Sequence, residues 1–327
     1  MVDLNLKDKK ILFELDKNSR QSLKLVSKKT GLSREVVNYR LGNLLREGVI
    51  QKFLAVIDVS KFGFAHHKVY VKLQNITEGN EELLVNKLIF NPFITWIASC
   101  DGAYSLIFAV KSRNLVELNK IMQEIEKEFG SYFMEYEIAG IIEAIHFERK
   151  YLVQRKDEFK EVKWGRSTEL KAIDKVDSVI LHGLAKDARA RAIDIAREAN
   201  CSPDTIAQRI RKLEDTGIIQ KYMLFLDNIK MGQLYYKVLI GLKPITEEFE
   251  KRILNYCSAH PNIIYVVKSF GKWNLEIDIE VDNVIKFRQV IRDFFSKFSA
   301  GIKDYSPLNI YGEYKFNFFE KEILDKV

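Results

Sequence analysis

The chain has 327 residues, 47% hydrophobic, 12% aromatic and 30% charged, with a formal net charge of +7. This balance excludes a disordered or low-complexity protein, and the length predicts two or three domains, each able to bury its own core. The absence of an apolar run near ~18 residues, and of an apolar core in the opening MVDLNLKDKK, predicts a cytoplasmic protein with no membrane partner.

Residues 31–53, GLSREVVNYRLGNLLREGVIQKF, recur 169 positions later, ungapped, as residues 200–222, NCSPDTIAQRIRKLEDTGIIQKY. A repeat of that length predicts two equal halves. Within each, the expected parts are a head at 1–52 with an effector and assembly domain at 53–150, a linker at 151–169, a second head at 170–221 and a second such domain at 222–321.

The first head reads as three short helices. Residues 6–15 place Ile11, Leu12 and Leu15 on one face, 22–30 turn Leu23 and Val26 inward, and a Gly31-Leu32 turn leads to a third helix over 33–47. Ser33 is placed to cap it, and Gly48 ends it before Val49-Ile50. This is the layout of a helix-turn-helix module. With Val37, Leu41 and Leu44 inward, Glu35, Tyr39, Gly42 and Arg46 face out, flanked by Asn38 and Asn43. The copy offers Asp204, Gln208, Arg211 and Asp215, flanked by Thr205, Ala207 and Lys212, after a cap at Ser202.

Charge is concentrated in the first head. Residues 1–52 hold 12 Lys/Arg against 6 Asp/Glu, 53–150 hold 10 against 13, and 170–221 hold 10 against 8. A basic head with an Arg, Asn and Tyr face suits double-stranded DNA, because Arg and Asn form paired hydrogen bonds to base edges. Phosphate contacts are expected from Lys24, Lys28, Arg34 and Arg46, and from Arg197, Arg211 and Lys212. Base contacts are expected from Arg34, Asn38 and Tyr39, and from Thr205 and Gln208. Arg40 and Arg209 sit at the flank, where a structural ion pair and a phosphate contact compete.

Beyond each head the pattern is strand 53–58, strand 67–73, helix 81–89, strand 94–99, turn 101–102, strand 104–110, helix 114–129 and a final strand from 133. The second half repeats this, with His260-Pro261 matching Asn91-Pro92 and Gly271 matching Gly102. A βαββαβ unit forms an antiparallel sheet with both helices on one face, so the bare faces of two such sheets are expected to pack together, making an intrachain pseudo-dimer. The fold class is therefore α+β, two tandem copies of a helix-turn-helix head followed by a ferredoxin-like domain. The aromatic run YGEYKFNFF at 311–319 alternates as a half-buried strand does, and base stacking is the other reading.

The pattern Ser-x-x-x-Val-x-x-Arg-Leu-x-x-Leu-x-x-x-Gly-Val-Ile at Ser33 to Ile50, with its copy at Ser202 to Ile219, resembles the recognition helix of the Lrp/AsnC family of prokaryotic transcription regulators. That resemblance covers nearly the whole chain. It implies a DNA-binding regulator, dimeric or higher, with Ser33, Arg34, Glu35, Asn38, Tyr39, Arg40, Arg46, Ser202, Asp204, Thr205, Gln208, Arg209, Arg211 and Lys212 on the DNA side.

It also implies an amino acid or related small molecule as effector, held near the turns that carry Gly102, Tyr104 and Ser105 and Gly271, Trp273 and Asn274. The family's Gly-x-x-Asp has Ser105 and Asn274 at the Asp position. Two other readings stand beside it. Siroheme decarboxylases resemble these regulators in architecture, although His66, His67, His146, His182 and His260 show no metal-ligand spacing. An interaction scaffold with silent heads would bind DNA weakly and without sequence preference. No cofactor or metal is expected, and Cys100, Cys201 and Cys257 support neither a disulfide framework nor a zinc ribbon.

Overall fold

The computed structural model describes residues 2–153, 162–165 and 169–323. The first half runs α1 (Leu6–Lys17), α2 (Leu23–Thr30), α3 (Arg34–Arg46), β1 (Ile50–Ile57), β2 (Ala65–Leu73), α4 (Glu78–Phe90), β3 (Ile94–Asp101), β4 (Leu106–Ser112), α5 (Leu115–Phe129) and β5 (Phe133–His146). A short β6 (Val162–Trp164) follows; most of the linker expected at 151–169 lies outside the described residues. The second half repeats the order as α6 (Lys175–Lys186), α7 (Ala192–Ala199), α8 (Pro203–Asp215), β7 (Ile219–Leu226), β8 (Leu234–Leu242), α9 (Glu247–Ala259), β9 (Ile263–Phe270), β10 (Leu275–Val281), α10 (Val284–Phe298) and β11 (Ile302–Phe316). No helix among the described residues is long and apolar enough to cross a membrane.

The two sheets face each other as the repeat predicts, and they are also joined at both edges. β5 and β11 are long, 14 and 15 residues, and each serves two sheets. The first part of β5 pairs with β2 and its end with β9, while the first part of β11 pairs with β8 and its end with β3. Hydrogen bonding therefore runs around a closed ring, β2-β4-β3-β11-β8-β10-β9-β5 and back to β2, with β6 added to β5. Closure pairs β2, β3, β4, β8, β9 and β10 on both sides, while β5 and β11 exchange one partner for another midway.

Strand alternation sorts the side chains. Val69, Val71, Leu106, Phe108 and Val110 point outward under α4 and α5, and Ile277 and Ile279 point outward under α10. Tyr70, Trp96, Ala98, Ile107, Leu239, Trp273 and Leu308 fill the ring interior. The aromatic run at 311–319 is split between these roles: Tyr311 to Phe316 belong to β11, and Phe318 and Phe319 are buried. The strand reading therefore holds.

The heads cross over. β1 and β7 form a separate antiparallel ribbon, with Lys52 opposite Phe225 and Val56 opposite Lys221. Ile11, Leu12, Leu15, Val37 and Leu41 of the first head share a core with Leu224, Leu226 and Met231 of the second half. Val179, Leu184 and Ile206 of the second head belong to the core of the first half. Each head thus rests on the other half, so the halves are not two beads on a string.

Candidate DNA-binding face and effector turns

Both reading helices are built in the same way. Ser33 Oγ accepts the Val36 N–H at 3.3 Å and Ser202 Oγ the Thr205 N–H at 3.1 Å, satisfying donors that a helix start leaves free. The preceding turn needs a left-handed residue, supplied by Gly31 at φ 70° and, in the copy, by Asn200 at φ 52°, one of the few other residue types that tolerates it. Val37, Leu41 and Leu44, and Ile206, Ile210 and Leu213, are buried. Each such side chain contributes roughly 1.5 to 3 kcal/mol, which fixes the opposite face toward solvent.

On that face Arg34, Glu35, Asn38, Tyr39 and Arg46 are exposed, Tyr39 at 68%, with Lys24 and Lys28 exposed on α2. Arg46 donates to Asn43 Oδ1. Gly42 is also exposed, with nothing within 4 Å of a Cβ placed there. In the second head Asp204, Gln208, Arg211 and Lys212 are exposed and Thr205 is half-buried, its hydroxyl 2.9 Å from Ser202 Oγ. Hydrogen bonds at the start of α3, from its own backbone first and then from Ser33, hold the Glu35 carboxyl below its usual range. Glu35 and Asp204 thus suit the positive ends of their helices better than a phosphate.

Of the two roles that compete at Arg40 and Arg209, the structure shows the ion pair. Arg40 Nη1 bonds both Asp8 oxygens at 3.0 and 3.1 Å, and Arg209 Nη1 bonds Asp174 at 2.6 Å and Asp177 at 3.0 Å. Asp8 and Asp177 are also members of the capping boxes that start α1 and α6. Each guanidinium therefore ties the reading helix to the first helix of its own head.

Between the heads lies a reciprocal clasp. Arg20 Nη1 donates to the carbonyls of Ala188 and Ala190 at 2.6 and 2.9 Å, and Arg189 Nη1 donates to those of Ser19 and Gln21 at 2.6 and 3.2 Å. The Ser19 N–H reaches Tyr222 O and the Ala188 N–H reaches Phe53 O, both at 2.9 Å. Sequence reasoning missed this pair, although Arg20 and Arg189 stand one repeat length apart and the spacing alone could have singled them out.

The effector turns are occupied by structure. Tyr104 and Trp273 are buried against Tyr70, with ring centroids 5.5 and 4.6 Å from it. Ser105 Oγ accepts the Leu73 N–H at 3.3 Å and Asn274 Oδ1 the Leu242 N–H at 3.0 Å. A Cβ on Gly102 would come within 2.9 Å of the Pro307 carbonyl, and one on Gly271 within 3.3 Å of the Ile138 carbonyl. These residues seal the joints where β11 and β5 cross between halves, so the expected ligand positions also have a structural purpose.

The ring interior also holds a buried ionic row. Lys68 Nζ and Tyr70 OH both donate to Glu276 at 2.5 Å, and Lys237 Nζ and Tyr235 OH donate to Asp278 at 2.5 and 2.7 Å. Arg149 bonds Glu280 through Nε and Nη2 at 2.9 and 3.0 Å, and Asp16 of α1 through Nη1 at 2.8 Å. Burial pushes the Glu276 carboxyl up, but the Lys68 and Lys237 ammonium groups outweigh it and hold it at about 2. Beside this row lies a cavity of about 90 Å³, walled by Trp96, Tyr235, Tyr265 and Phe316. No group of three or more His, Cys, Asp or Glu able to hold a metal occurs among the described residues.

Residues 4–51 match the winged helix-turn-helix DNA-binding model and residues 173–214 the AsnC-type helix-turn-helix domain. An uncharacterized HTH-type transcriptional regulator of Pyrococcus furiosus is 30% identical over 139 residues, covering 40% of this chain and 88% of its own. The transcriptional regulator LrpC of Bacillus subtilis is 28% identical over 127 residues, covering 39% and 84%. Over nearly the full length, the fold is similar to that of the siroheme decarboxylase NirDL, with a TM-score of 0.59 at 10% identity, covering 98% of this chain and 97% of that one.

Proposed function

Because the chain belongs to the Lrp/AsnC family of helix-turn-helix transcription regulators, we propose that its two heads read two unequal half-sites on one DNA duplex at a fixed spacing. The observation that carries this reading is the clasp of Arg20 and Arg189 across the heads, together with the β1–β7 ribbon, which sets α3 and α8 in one relation to each other. Arg34, Asn38 and Tyr39 then supply base contacts in the first half-site and Thr205 and Gln208 in the second. Lys24, Lys28, Arg46, Arg197, Arg211 and Lys212 supply phosphate contacts.

The test is a mobility-shift series on selected DNA whose half-sites are moved apart. Inserting about half a helical turn should abolish tight binding and a whole turn, about 10 base pairs, should restore part of it. Indifference to spacing would sink the proposal of a fixed pair of readers.

The likeness to NirDL gives an enzymatic reading its one support. A NirDL structure is described with an iron-uroporphyrin III analogue. The cavity between the ring and the β1–β7 ribbon measures about 90 Å³ and the space bordered by Lys17, Glu148 and Lys221 about 430 Å³, against roughly 300 to 1,000 Å³ for pockets that hold sizeable ligands. What supports the regulator over the decarboxylase is the match of both heads to helix-turn-helix models.

A further inference from the structure

Glu313 on β11 stands between two spaces. Inward it lines the cavity of the ionic row, and outward it lines a second cavity of about 130 Å³ that ends among half-exposed tyrosines, Tyr311 at 41% and Tyr314 at 42%. Tyr235 and Leu226 line both as well, so the outer space, a vestibule open to solvent, adjoins the inner one across these three side chains. The vestibule walls carry two carboxylates, Asp227 and Glu313, and no basic side chain.

The inner cations are already matched: Lys68 and Lys237 to Glu276 and Asp278, and Arg149 to Glu280 and Asp16. Glu313 has no ion-pair partner among the described residues, and its one hydrogen bond there is from Trp96 Nε1 at 2.8 Å. Burial pushes its carboxyl up to about 7, against the bond from Trp96. A second acceptor points the same way: Asn228 is 8% exposed, and its Oδ1 meets no donor.

We propose that this vestibule binds a small primary organic ammonium, with its N–H groups on Glu313 and Asn228 Oδ1 and its short apolar part against Tyr311, Tyr314 and Tyr235. Acceptors without a matching cation and aromatic faces around them are the features that favour a desolvated ammonium. The lack of any cation in the walls leaves a ligand carboxylate without a partner, so the amine is preferred to the corresponding amino acid. Gln51 on β1 and Asp227 after β7, 3.4 Å apart at their side chains, also border the site, so an occupant touches the ribbon that carries both heads.

The test is calorimetric titration of the full chain with n-butylammonium, norvaline and 1-butanol, which share a hydrocarbon chain and differ in charge. Saturable binding of butylammonium is expected, with the other two weaker by about tenfold or more, as loss of a hydrogen bond to a charged group implies. Glu313→Gln and Asn228→Leu, each shown by its melting curve to be folded, should weaken butylammonium by a similar factor. Equal binding of norvaline or butanol, or unchanged binding by both variants, overturns the proposal.

As a site of regulation it rests on the DNA-binding reading. Butylammonium should shift DNA affinity about fivefold or more in the native chain and not in Glu313→Gln. Saturable amine binding without that shift overturns the regulatory part, and absence of DNA binding before any amine is added counts against the DNA reading instead.

Discussion

α3 and α8 stand at equivalent places in the repeat, each capped by a serine and each burying three aliphatic side chains, yet they offer DNA different chemistry. α3 presents Arg34, Asn38 and Tyr39; α8 presents Asp204, Gln208 and Arg211. The supporting helices differ likewise. α2 carries Lys24, Lys28 and Lys29, whereas on α7 Asp194 lies 2.7 Å from Arg191 and 3.8 Å from Arg197. The scaffold of a head tolerates a change of reading face because that face contributes little to its core. The ring interior shows a second divergence, since the acids Glu276, Asp278 and Glu280 have Ile107, Ala109 and Lys111 at the matching positions.

The largest effect should come from that interior. Glu276→Ala leaves Lys68 and Lys237 short of a carboxylate in a buried site and should cost about 3 to 5 kcal/mol in urea unfolding. The carboxyl lies at about 2 in the folded chain against an ordinary 4.5, so its contribution is present above 4.5 and is lost as pH falls toward 2. Glu276→Gln should flatten stability across that window, and an unchanged acid limb would show that the two halves are not held together in this way.

Next in size is readout. Arg34→Ala with Asn38→Ala should cost about 1 to 3 kcal/mol per lost base contact and relax preference in one half-site, whereas Gln208→Ala should relax only the other. If both changes blur the same bases, the two faces are not separate readers. Smaller still is the salt dependence. Lys24→Ala should reduce the log-log salt slope of DNA binding by about 1, and Arg197→Ala by less, because Asp194 already screens it. Smallest, Arg40→Ala and Arg209→Ala should each lower stability by about 0.2 to 1 kcal/mol with base preference unchanged. A change of preference would return those arginines to the DNA.

The repeat and its periodicities made the elements legible: Val37, Leu41 and Leu44 marked one helix face, and the runs at 67–73 and 104–110 marked strands. What they could not show was partnership. β5 and β11 cross between sheets because pairing is decided by distant residues, and nothing local in 133–146 names β9 as a neighbour. The pattern Leu275-Glu276-Ile277-Asp278-Ile279-Glu280 reads as one apolar and one polar face, yet Glu276 and Glu280 are fully buried. A period of two separates faces without saying whether water or another strand's lysines will cover the polar one. The partners of Arg40 and Tyr104 were hidden for the same reason, since Asp8 and Tyr70 lie on other elements.

The one-sidedness of the ionic row has a historical consequence. Were the second half to pair with a copy of itself, two sets of Glu276, Asp278 and Glu280 would meet with Lys237 from each copy and Phe318 where Arg149 now stands. The first half, self-paired, would bring Lys68 against Ile107 and Ala109, with no acid to receive it. Neither copy retains a mate of its own kind. Each half completes its ionic row only with the other, so the two halves are no longer interchangeable.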